Sequence, residues 1–273
     1  EVLNLVNPNI TSVDVDGGIL ELNVVTTLER LTVRNSGSVR NATATDEGSL
    51  RLDLTVENLT IEAGSSIDVS GRGLLPSGTD TNYGGSHGGY GGVYQTSGTP
   101  NEPYGDMYNP LEFGRGGYSS TRGGGAIKLK VTNELLLDGL IISNGQSTGS
   151  SKKGGGAGGS ILLDVNVLRG SGSIEANGGS AGNYAGGGSG GRVAVYYQNA
   201  EEFDLANVYS RGGIGKNGEM RHGGAGSVYL KGIGQPNGLI RIENGTLAPS
   251  LSAITTISGT VADDIEVINA HVK

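Results

Sequence analysis

The tyrosines of one polar segment are the residues best suited to contact a ligand. Six of the eleven tyrosines lie among Gly, Ser, Asn and Asp within residues 73–122: Tyr83, Tyr90, Tyr94, Tyr104, Tyr108 and Tyr118. A tyrosine ring on a polar loop can stack on a sugar ring while its hydroxyl forms hydrogen bonds. The pattern indicates glycan contact. The competing interpretation is that the rings cover a glycine-rich surface that offers little other apolar area.

Two pairs of carboxylates are candidates for sugar hydrolysis, which needs two carboxyl groups about 5 to 9.5 Å apart. Asp106 and Glu112 lie close in sequence with Arg115 beside them, and Asp68 and Glu175 occupy equivalent positions of two repeats. One repeat between Asp68 and Glu175 predicts about 9 to 10 Å, at the limit for an inverting enzyme. In YGDMYNPLEFGRGG, the favoured interpretation is a fixed loop in which Asp106 and Arg115 form hydrogen bonds with the backbone. No catalytic residue is therefore assigned.

Metal-ligating patterns are sparse. The stretch DVDGG at 14–18 is similar to the start of a calcium loop but lacks the remaining ligands and the closing Glu. Asp263, Asp264 and Glu266 are interpreted as a solvated turn, and the three histidines have no metal-ligand spacing. No metal site or cofactor is assigned, and calcium is the one ion that these acidic stretches leave open.

The composition limits the classes of protein to consider. The chain has 273 residues, 52 of them glycine, with no cysteine and a formal net charge of −8. Without cysteine there is no disulfide framework and no thiolate metal site. An acidic balance without long blocks of like charge argues against nucleic acid as a partner, and no apolar run is long enough to span a bilayer. The chain begins at Glu1 with no signal peptide, which we interpret as the mark of a processed or excised segment.

A glycine cluster followed by a strand-like run occurs four times: GGGAIKLKV at 123–131, GGGAGGSILLDV at 154–165, GGGSGGRVAVYY at 186–197 and GGAGSVYLK at 223–231. Spacings of 34, 32 and 35 residues separate the aligned Ile127, Ile161, Val193 and Val228. A second strand-like run aligns Ile67, Ile141, Ile174 and Val208, with steps of 74, 33 and 34 residues. The alternating apolar residues predict half-buried strands, and the frequent glycines argue against helices.

Repeats with two or three short strands bury their apolar faces only by stacking on one another. We therefore predict an all-β fold, a single right-handed parallel β-helix (solenoid) over residues 1–273 with rungs about 4.8 Å apart. Residues 1–72 would form the first rungs or a cap, 73–122 a Tyr- and Gly-rich loop insertion, 123–231 the regular glycine-rich rungs, and 232–273 the last rungs or a cap. The glycines of 154–159 and 186–191 are predicted to lie at stacked corners, several with positive φ.

The order of the motifs carries a resemblance to a known class of segment. Between about residues 50 and 231, seven motifs follow one another: IDVSGRGLL, YGDMYNPLEFGRGG, GGGAIKLKV, GGGAGGSILLDV, GSGSIEANGG, GGGSGGRVAVYY and GGAGSVYLK. In this order they resemble a glycine-rich segment of large secreted or surface proteins of bacteria. Such segments are similar to right-handed parallel β-helices of the pectate-lyase-like type and generally have no assigned activity. The resemblance implies an extracellular or cell-surface location, while its bearing on function is weak because many chemistries share a β-helix.

The sequence thus predicts a non-catalytic extracellular module, of structural or adhesin type, that contacts a polysaccharide or cell-surface glycan through its Tyr-rich loop. Two alternatives stay open. One is a carbohydrate-active enzyme, a polysaccharide lyase or glycoside hydrolase, on the same β-helix. The other is a subunit of a surface filament assembled by strand exchange through its ends. The expected partners are glycans and either flanking modules of a larger protein or further copies of the chain, with no nucleic acid and no membrane span.

Overall fold

Short and long strands alternate along the chain. The computed structural model describes residues 10–76, 83–94, 100–117, 121–216, 221–248, 254–257 and 261–273. These residues contain seventeen strands and one 3-10 helix, Leu205–Asn207, so the chain is all-β as predicted.

The alternate strands form two separate sheets. The first sheet contains β1 (Ser12–Asp16), β3 (Thr26–Arg34), β5 (Leu52–Ile61), β7 (Ala126–Leu137), β9 (Ser160–Gly170), β11 (Arg192–Phe203) and β13 (Ser227–Gly232), followed by β14 (Leu239–Glu243) and β16 (Asp264–Ile268). The second contains β2 (Ile19–Glu21), β4 (Ser38–Arg40), β6 (Ser66–Asp68), β8 (Leu140–Ile142), β10 (Ser173–Glu175) and β12 (Val208–Tyr209). A separate pair joins β15 (Ile254–Thr255) to β17 (His271–Val272).

The register of both sheets follows the spacing of the repeats. In the first sheet, parallel pairs align Ile127 with Ile161, Ile161 with Val193, and Val193 with Val228. In the second, they align Ile67, Ile141, Ile174 and Val208 in the same way. A repeat in sequence therefore becomes a stack in space, with equivalent residues directly beside one another.

One continuous core lies between these strands. The alternating apolar residues of the four aligned strand runs are all buried in the same cluster: Ile127, Leu129, Ile161, Leu163, Val193, Val195, Val228 and Leu230. The alternation places them on one face of each strand, since successive side chains of a strand point to opposite faces. Burial of these branched side chains, each stabilising the fold by about 1.5–3 kcal/mol, holds the stack together.

The parallel stacking ends at β13, where the prediction of a parallel arrangement throughout is wrong. β14 pairs with β13 in the antiparallel direction, and β16 then pairs in parallel with β14. The short connection between Gly232 and Leu239 explains the reversal, because a parallel crossover needs a dozen or more residues. Within it, Gly234 has a φ of +91°. The hairpin places Ile240 beside Tyr229 in a second apolar cluster.

The prediction of positive φ in the glycine clusters is wrong, whereas their predicted close stacking on one another is confirmed. No glycine in 154–159 or 186–191 has a left-handed φ, whereas Gly17, Gly64 and Gly170, which follow or end longer strands, do. The clusters instead lie where backbones touch. A Cβ on Gly156 would lie 1.9 Å from the carbonyl oxygen of Arg122, and a Cβ on Gly188 would lie 1.9 Å from that of Gly156. Glycine is required here because no side-chain atom fits between the segments.

Successive N–H groups of each glycine cluster donate hydrogen bonds to three different neighbouring segments. The N–H groups of Gly155 and Gly158 donate to carbonyls in 186–189, those of Gly156 and Gly159 to carbonyls in 143–146, and that of Ala157 to Arg115. The segment 187–191 repeats this order, donating to 221–224, to 176–179 and to Gly85. A three-residue period is expected of extended backbone with three residues per turn, as in polyproline II. Each cluster therefore bonds to three neighbouring segments.

The Tyr- and Gly-rich insertion supplies one of these neighbours. Its carbonyls at Gly85 and Arg115 accept hydrogen bonds from Ser189 and Ala157, at 2.9 Å each. Its segments 83–94 and 100–117 contain no strand and lie directly on the glycine clusters. The described part of the insertion is thus a packed layer on the glycine clusters.

Candidate ligand-binding site

Two of the predicted tyrosines anchor the insertion. The Tyr104 ring lies 4.7 Å from the His87 ring between centroids, and its hydroxyl donates to the carbonyl of Phe113 at 2.6 Å. The Tyr108 hydroxyl donates to Asp263 at 3.1 Å, and its ring meets Tyr229 edge to face at 4.8 Å. Burial raises the pKa of both phenols, so they stay protonated donors. Both rings are already used for packing.

The remaining tyrosines are placed differently. Tyr118 lies outside the described residues. Tyr90 donates its hydroxyl to the Glu102 carboxylate, which raises the pKa of the phenol. Tyr83 is half-buried, and its carbonyl oxygen would clash with a Cβ on Gly154. Tyr94 is the predicted tyrosine whose ring meets another aromatic residue at the surface.

Three adjacent segments bring that ring beside two further side chains. Gly92 donates to the carbonyl of Gly187, and Gly187 donates to the carbonyl of Arg221, both at 2.8 Å. The ends of these segments therefore converge, and Tyr94 meets Tyr184 and Arg221. The two rings are edge to face with centroids 6.1 Å apart, and the Arg221 guanidinium lies 4.9 Å from the Tyr94 centroid. We call Tyr94, Tyr184 and Arg221 the aromatic patch.

Tyr184 has an unusual backbone conformation. Its φ is +61°, and the residue is 46% exposed. A bulky residue with positive φ is a genuine outlier that costs roughly 1–3 kcal/mol, and such strain clusters at binding sites. Lys152 has the same φ of 61° in the neighbouring turn, which contacts this one through a hydrogen bond from Lys152 N–H to the Asn183 carbonyl at 2.7 Å. The two turns thus share one backbone conformation and are joined by a hydrogen bond.

The carboxylates of the insertion bond within the protein. Asp106 accepts a hydrogen bond from the N–H of Tyr108 at 2.8 Å, and Glu112 accepts one from the N–H of Leu111 at 3.1 Å. Arg115 pairs with the carboxylate of Glu47, where the sequence interpretation has it bonding to backbone. These groups fix the loop.

Asp68 and Glu175 lie on either side of one strand. Both pair with Ile142, so the predicted separation of two strand spacings, about 9 to 10 Å, describes their backbones. The Glu175 carboxylate accepts hydrogen bonds from Ser173, Asn177 and Tyr209 at 2.8, 3.0 and 2.9 Å. Asp68 accepts one from the N–H of Ser70 at 2.8 Å.

Three of the acidic residues considered for calcium bond to other groups of the protein. Asp14 and Asp16 both pair with Arg34 at 2.9 Å. Asp263 accepts hydrogen bonds from Tyr108, Tyr229 and the N–H of Gly238. Across the described ranges, no group of three or more His, Cys, Asp or Glu residues is arranged to hold a metal ion. In the same part of the chain, no helix has the length and apolar character to cross a membrane.

Comparisons with protein-family models, curated proteins and solved structures find no match for this chain. Its function is therefore inferred from the geometry of the aromatic patch. Sequence reasoning points to Tyr94 but misses Tyr184, which lies in the regular glycine-rich repeats. The one signal for Tyr184 is its position, since a large aromatic stands in GNYAGGG where the preceding repeat has SKKGGG.

Proposed function

We propose that the chain is a non-catalytic module of a secreted or cell-surface bacterial protein that binds glycans through the aromatic patch. We also propose that its strands β1–β13 form a right-handed parallel β-helix. Two sheets built from alternate strands, with equivalent residues in register, support the fold. The exposed Tyr184 ring, strained in its backbone and placed against Tyr94, is the observation that carries the binding proposal.

The chemistry of the patch suits a sugar. An exposed tyrosine ring offers an apolar face to the C–H groups of a pyranose, and its hydroxyl can donate and accept hydrogen bonds. Arg221 adds a donor for hydroxyl or carboxylate oxygens, and its contact with the Tyr94 ring limits its movement. Because the Tyr94 ring contacts both Tyr184 and Arg221, these side chains are already partly ordered and less side-chain freedom is lost on binding.

The proposal predicts that Tyr184→Gly separates binding from stability. Glycine adopts positive φ freely, so the variant should unfold at a temperature equal to or above that of the wild type. Loss of the ring should weaken binding to the best ligand on a glycan array by about tenfold or more, equivalent to about 1.4 kcal/mol. Calorimetric titration with that ligand and a thermal melt give the two readouts.

Lys152→Gly is the matched control. It changes the same backbone conformation in the adjacent turn but leaves both rings in place, so it should keep binding within about threefold. Equal binding by the wild type and Tyr184→Gly on every glycan tested would refute the role of the patch.

The proposal also predicts no turnover. Pectin, alginate and xylan should remain uncleaved by the purified chain, with or without added Ca²⁺, because the carboxylates considered above bond to donors within the protein. Product release measured by reducing-end assay and by absorbance of unsaturated sugars tests this. Cleavage that disappears in Glu175→Gln or Asp106→Asn would establish the enzyme alternative instead.

A further inference from the structure

A groove that is lined by none of the aromatic-patch residues is a separate feature of the fold. Its volume is about 620 Å³, and its lining includes Asn177, Arg211, Ile214, Glu243, Asn244 and Leu247. Volumes of about 300–1,000 Å³ are typical of sites for small ligands. We call it the Arg–Glu groove after its two charged residues.

The charged pair that lines the groove, Arg211 and Glu243, uses only part of its hydrogen-bonding groups within the pair. Arg211 Nε and Nη2 both donate to Glu243 Oε1, at 3.1 and 2.8 Å. Among the described residues, these bonds leave Arg211 Nη1 and Glu243 Oε2 as the groups that a ligand in the groove would meet. An arginine only donates and a carboxylate only accepts, so a ligand that satisfies both must do both.

The guanidinium is positioned by a chain of contacts behind it. It lies 4.1 Å from the centroid of the Tyr209 ring, and the Tyr209 hydroxyl donates to Glu175 at 2.9 Å. Ser173 and Asn177 also donate to that carboxylate. Arg211 is therefore fixed before any ligand arrives, which reduces the entropy lost on binding.

The floor of the groove is equally well fixed. The N–H of Arg211 donates to Asn177 Oδ1 at 2.9 Å, and the N–H of Gly212 donates to Asn244 Oδ1 at 2.6 Å. The buried Asn244 also donates to the carbonyl of Gly223 at 3.1 Å. Side-chain amides thus lock successive turns to one another beneath the charged pair.

Charge and shape together select the ligand class. Arg211 and Glu243 cancel, so an anion would meet the carboxylate and a cation would meet the guanidinium. A hydroxyl group can donate to Oε2 and accept from Nη1, and neighbouring hydroxyls on one sugar can do both at once. Ile214, which is 48% exposed, and Leu247 supply apolar contact for the C–H face of a ring. We infer that the Arg–Glu groove is a second binding site, specific for neutral pyranose oligosaccharides.

Titration calorimetry of the full chain against cellotriose, maltotriose, xylotriose and mannotriose tests the inference, with trigalacturonic acid as the anionic comparison. At least one neutral trisaccharide should bind, and at least tenfold more tightly than the acid. Glu243→Gln keeps the shape of the side chain and should weaken that binding at least tenfold. Failure of all four neutral sugars to bind, or tighter binding of the acid, would overturn the inference.

A pair of surface variants guards against loss of folding. Ile214→Ser removes an exposed side chain from the wall of the groove and should weaken binding at least threefold. Ile233→Ser removes a 58% exposed isoleucine outside the groove and should leave binding unchanged. Binding unaffected by both Ile214→Ser and Glu243→Gln would place the sugar elsewhere. Tyr184→Gly should retain groove binding, so failure of the aromatic patch and failure of the groove give different results.

Discussion

Replacing Gly188 with alanine is expected to destabilise the chain by about 3 kcal/mol or more, lowering the melting temperature by about 6 °C or more. The new Cβ would lie 1.9 Å from the carbonyl oxygen of Gly156 and 2.4 Å from its carbonyl carbon. The obstacle is backbone, so no side chain can rotate away. Hydrogen bonds from Gly188 to Gly179 and from Gly213 to Gly188, at 2.9 and 2.7 Å, hold the segment in place. Relief of the clash therefore requires several bonded segments to separate.

Two other glycines distinguish the effect of steric clash on stability from the effect of backbone conformation. A Cβ on Gly149 would have no atom within 4 Å, and the residue has no positive φ, so Gly149→Ala should change stability by less than about 0.5 kcal/mol. Gly234 has equally open surroundings but a φ of +91°, so Gly234→Ala should cost roughly 1–2 kcal/mol through strain alone. Urea unfolding of the three variants gives the comparison. If Gly188→Ala were as stable as Gly149→Ala, the glycine segments would have to be farther apart than the structure places them.

The strands and their register could be predicted because two signals agree. Alternation in runs such as Ile127 to Val131 reports which face is buried, and equal spacing reports which residues become neighbours. Once β13 and β14 are known to be neighbours in one sheet, the few residues between Gly232 and Leu239 require the antiparallel direction, because they cannot form a parallel crossover. The length of the connection alone does not predict that pairing, since two residues also join β1 to β2, which lie in different sheets.

The role of the glycines could not be settled from composition. A glycine is favoured where φ is positive and equally where another backbone lies against it, and the sequence looks the same in both cases. Here Gly234 meets only the first demand and Gly188 only the second. Distinguishing them requires knowing which segments touch, and that depends on long-range hydrogen bonds such as the one from Gly92 to Gly187.

The candidate site could be predicted only in part from the sequence, for the same reason. Tyr94 stands out because its segment is rich in tyrosine and polar residues, whereas Tyr184 lies 90 residues away in a regular repeat. Their contact arises from the layer that joins 83–94 to 184–191. The groove has no sequence signal because its Arg211 and Glu243 come from separate parts of the chain and share no motif. Glu175, considered as an acid, instead supports Tyr209.

The buried His87 is expected to make the fold sensitive to mild acid. Its ring is fully buried, and Nδ1 lies 2.8 Å from the carbonyl oxygen of Gly158. A carbonyl only accepts, so Nδ1 carries the proton and Nε2 is the unprotonated nitrogen. In the described part of the chain Nε2 has no hydrogen-bond partner. Burial, and secondly the positive charge of Arg192, lower the pKa of His87 to about 3.

The sign of the effect follows from the two protonation states. In the unfolded chain the histidine titrates near pH 6.5, whereas in the folded chain it stays neutral down to about pH 3. Between these values the unfolded state binds the additional proton, so the free energy of unfolding falls as the pH falls. The slope approaches about 1.4 kcal/mol per pH unit, and the loss between pH 6.5 and 4.5 should total about 2–3 kcal/mol.

Urea unfolding at intervals from pH 7.5 to 4.5 measures this slope, and His87→Asn assigns it. The asparagine amide can still donate to the Gly158 carbonyl but does not titrate, so its stability should be nearly constant over the same interval. The interval stops at pH 4.5 because Glu21 and Asp263 have lowered pKa values, the first mainly from the Asn23 side chain and the second mainly from the Gly238 N–H. Their stabilisation is present at higher pH and is lost only as the pH falls further. A wild-type chain equally stable at pH 7.5 and 4.5 would mean that His87 is protonated without cost, and a slope that persists in His87→Asn would assign the proton to another group.

Because this ring lies between the glycine layer and Tyr104, its protonation would loosen the insertion that carries Tyr94, and glycan binding at the aromatic patch should weaken in parallel with stability.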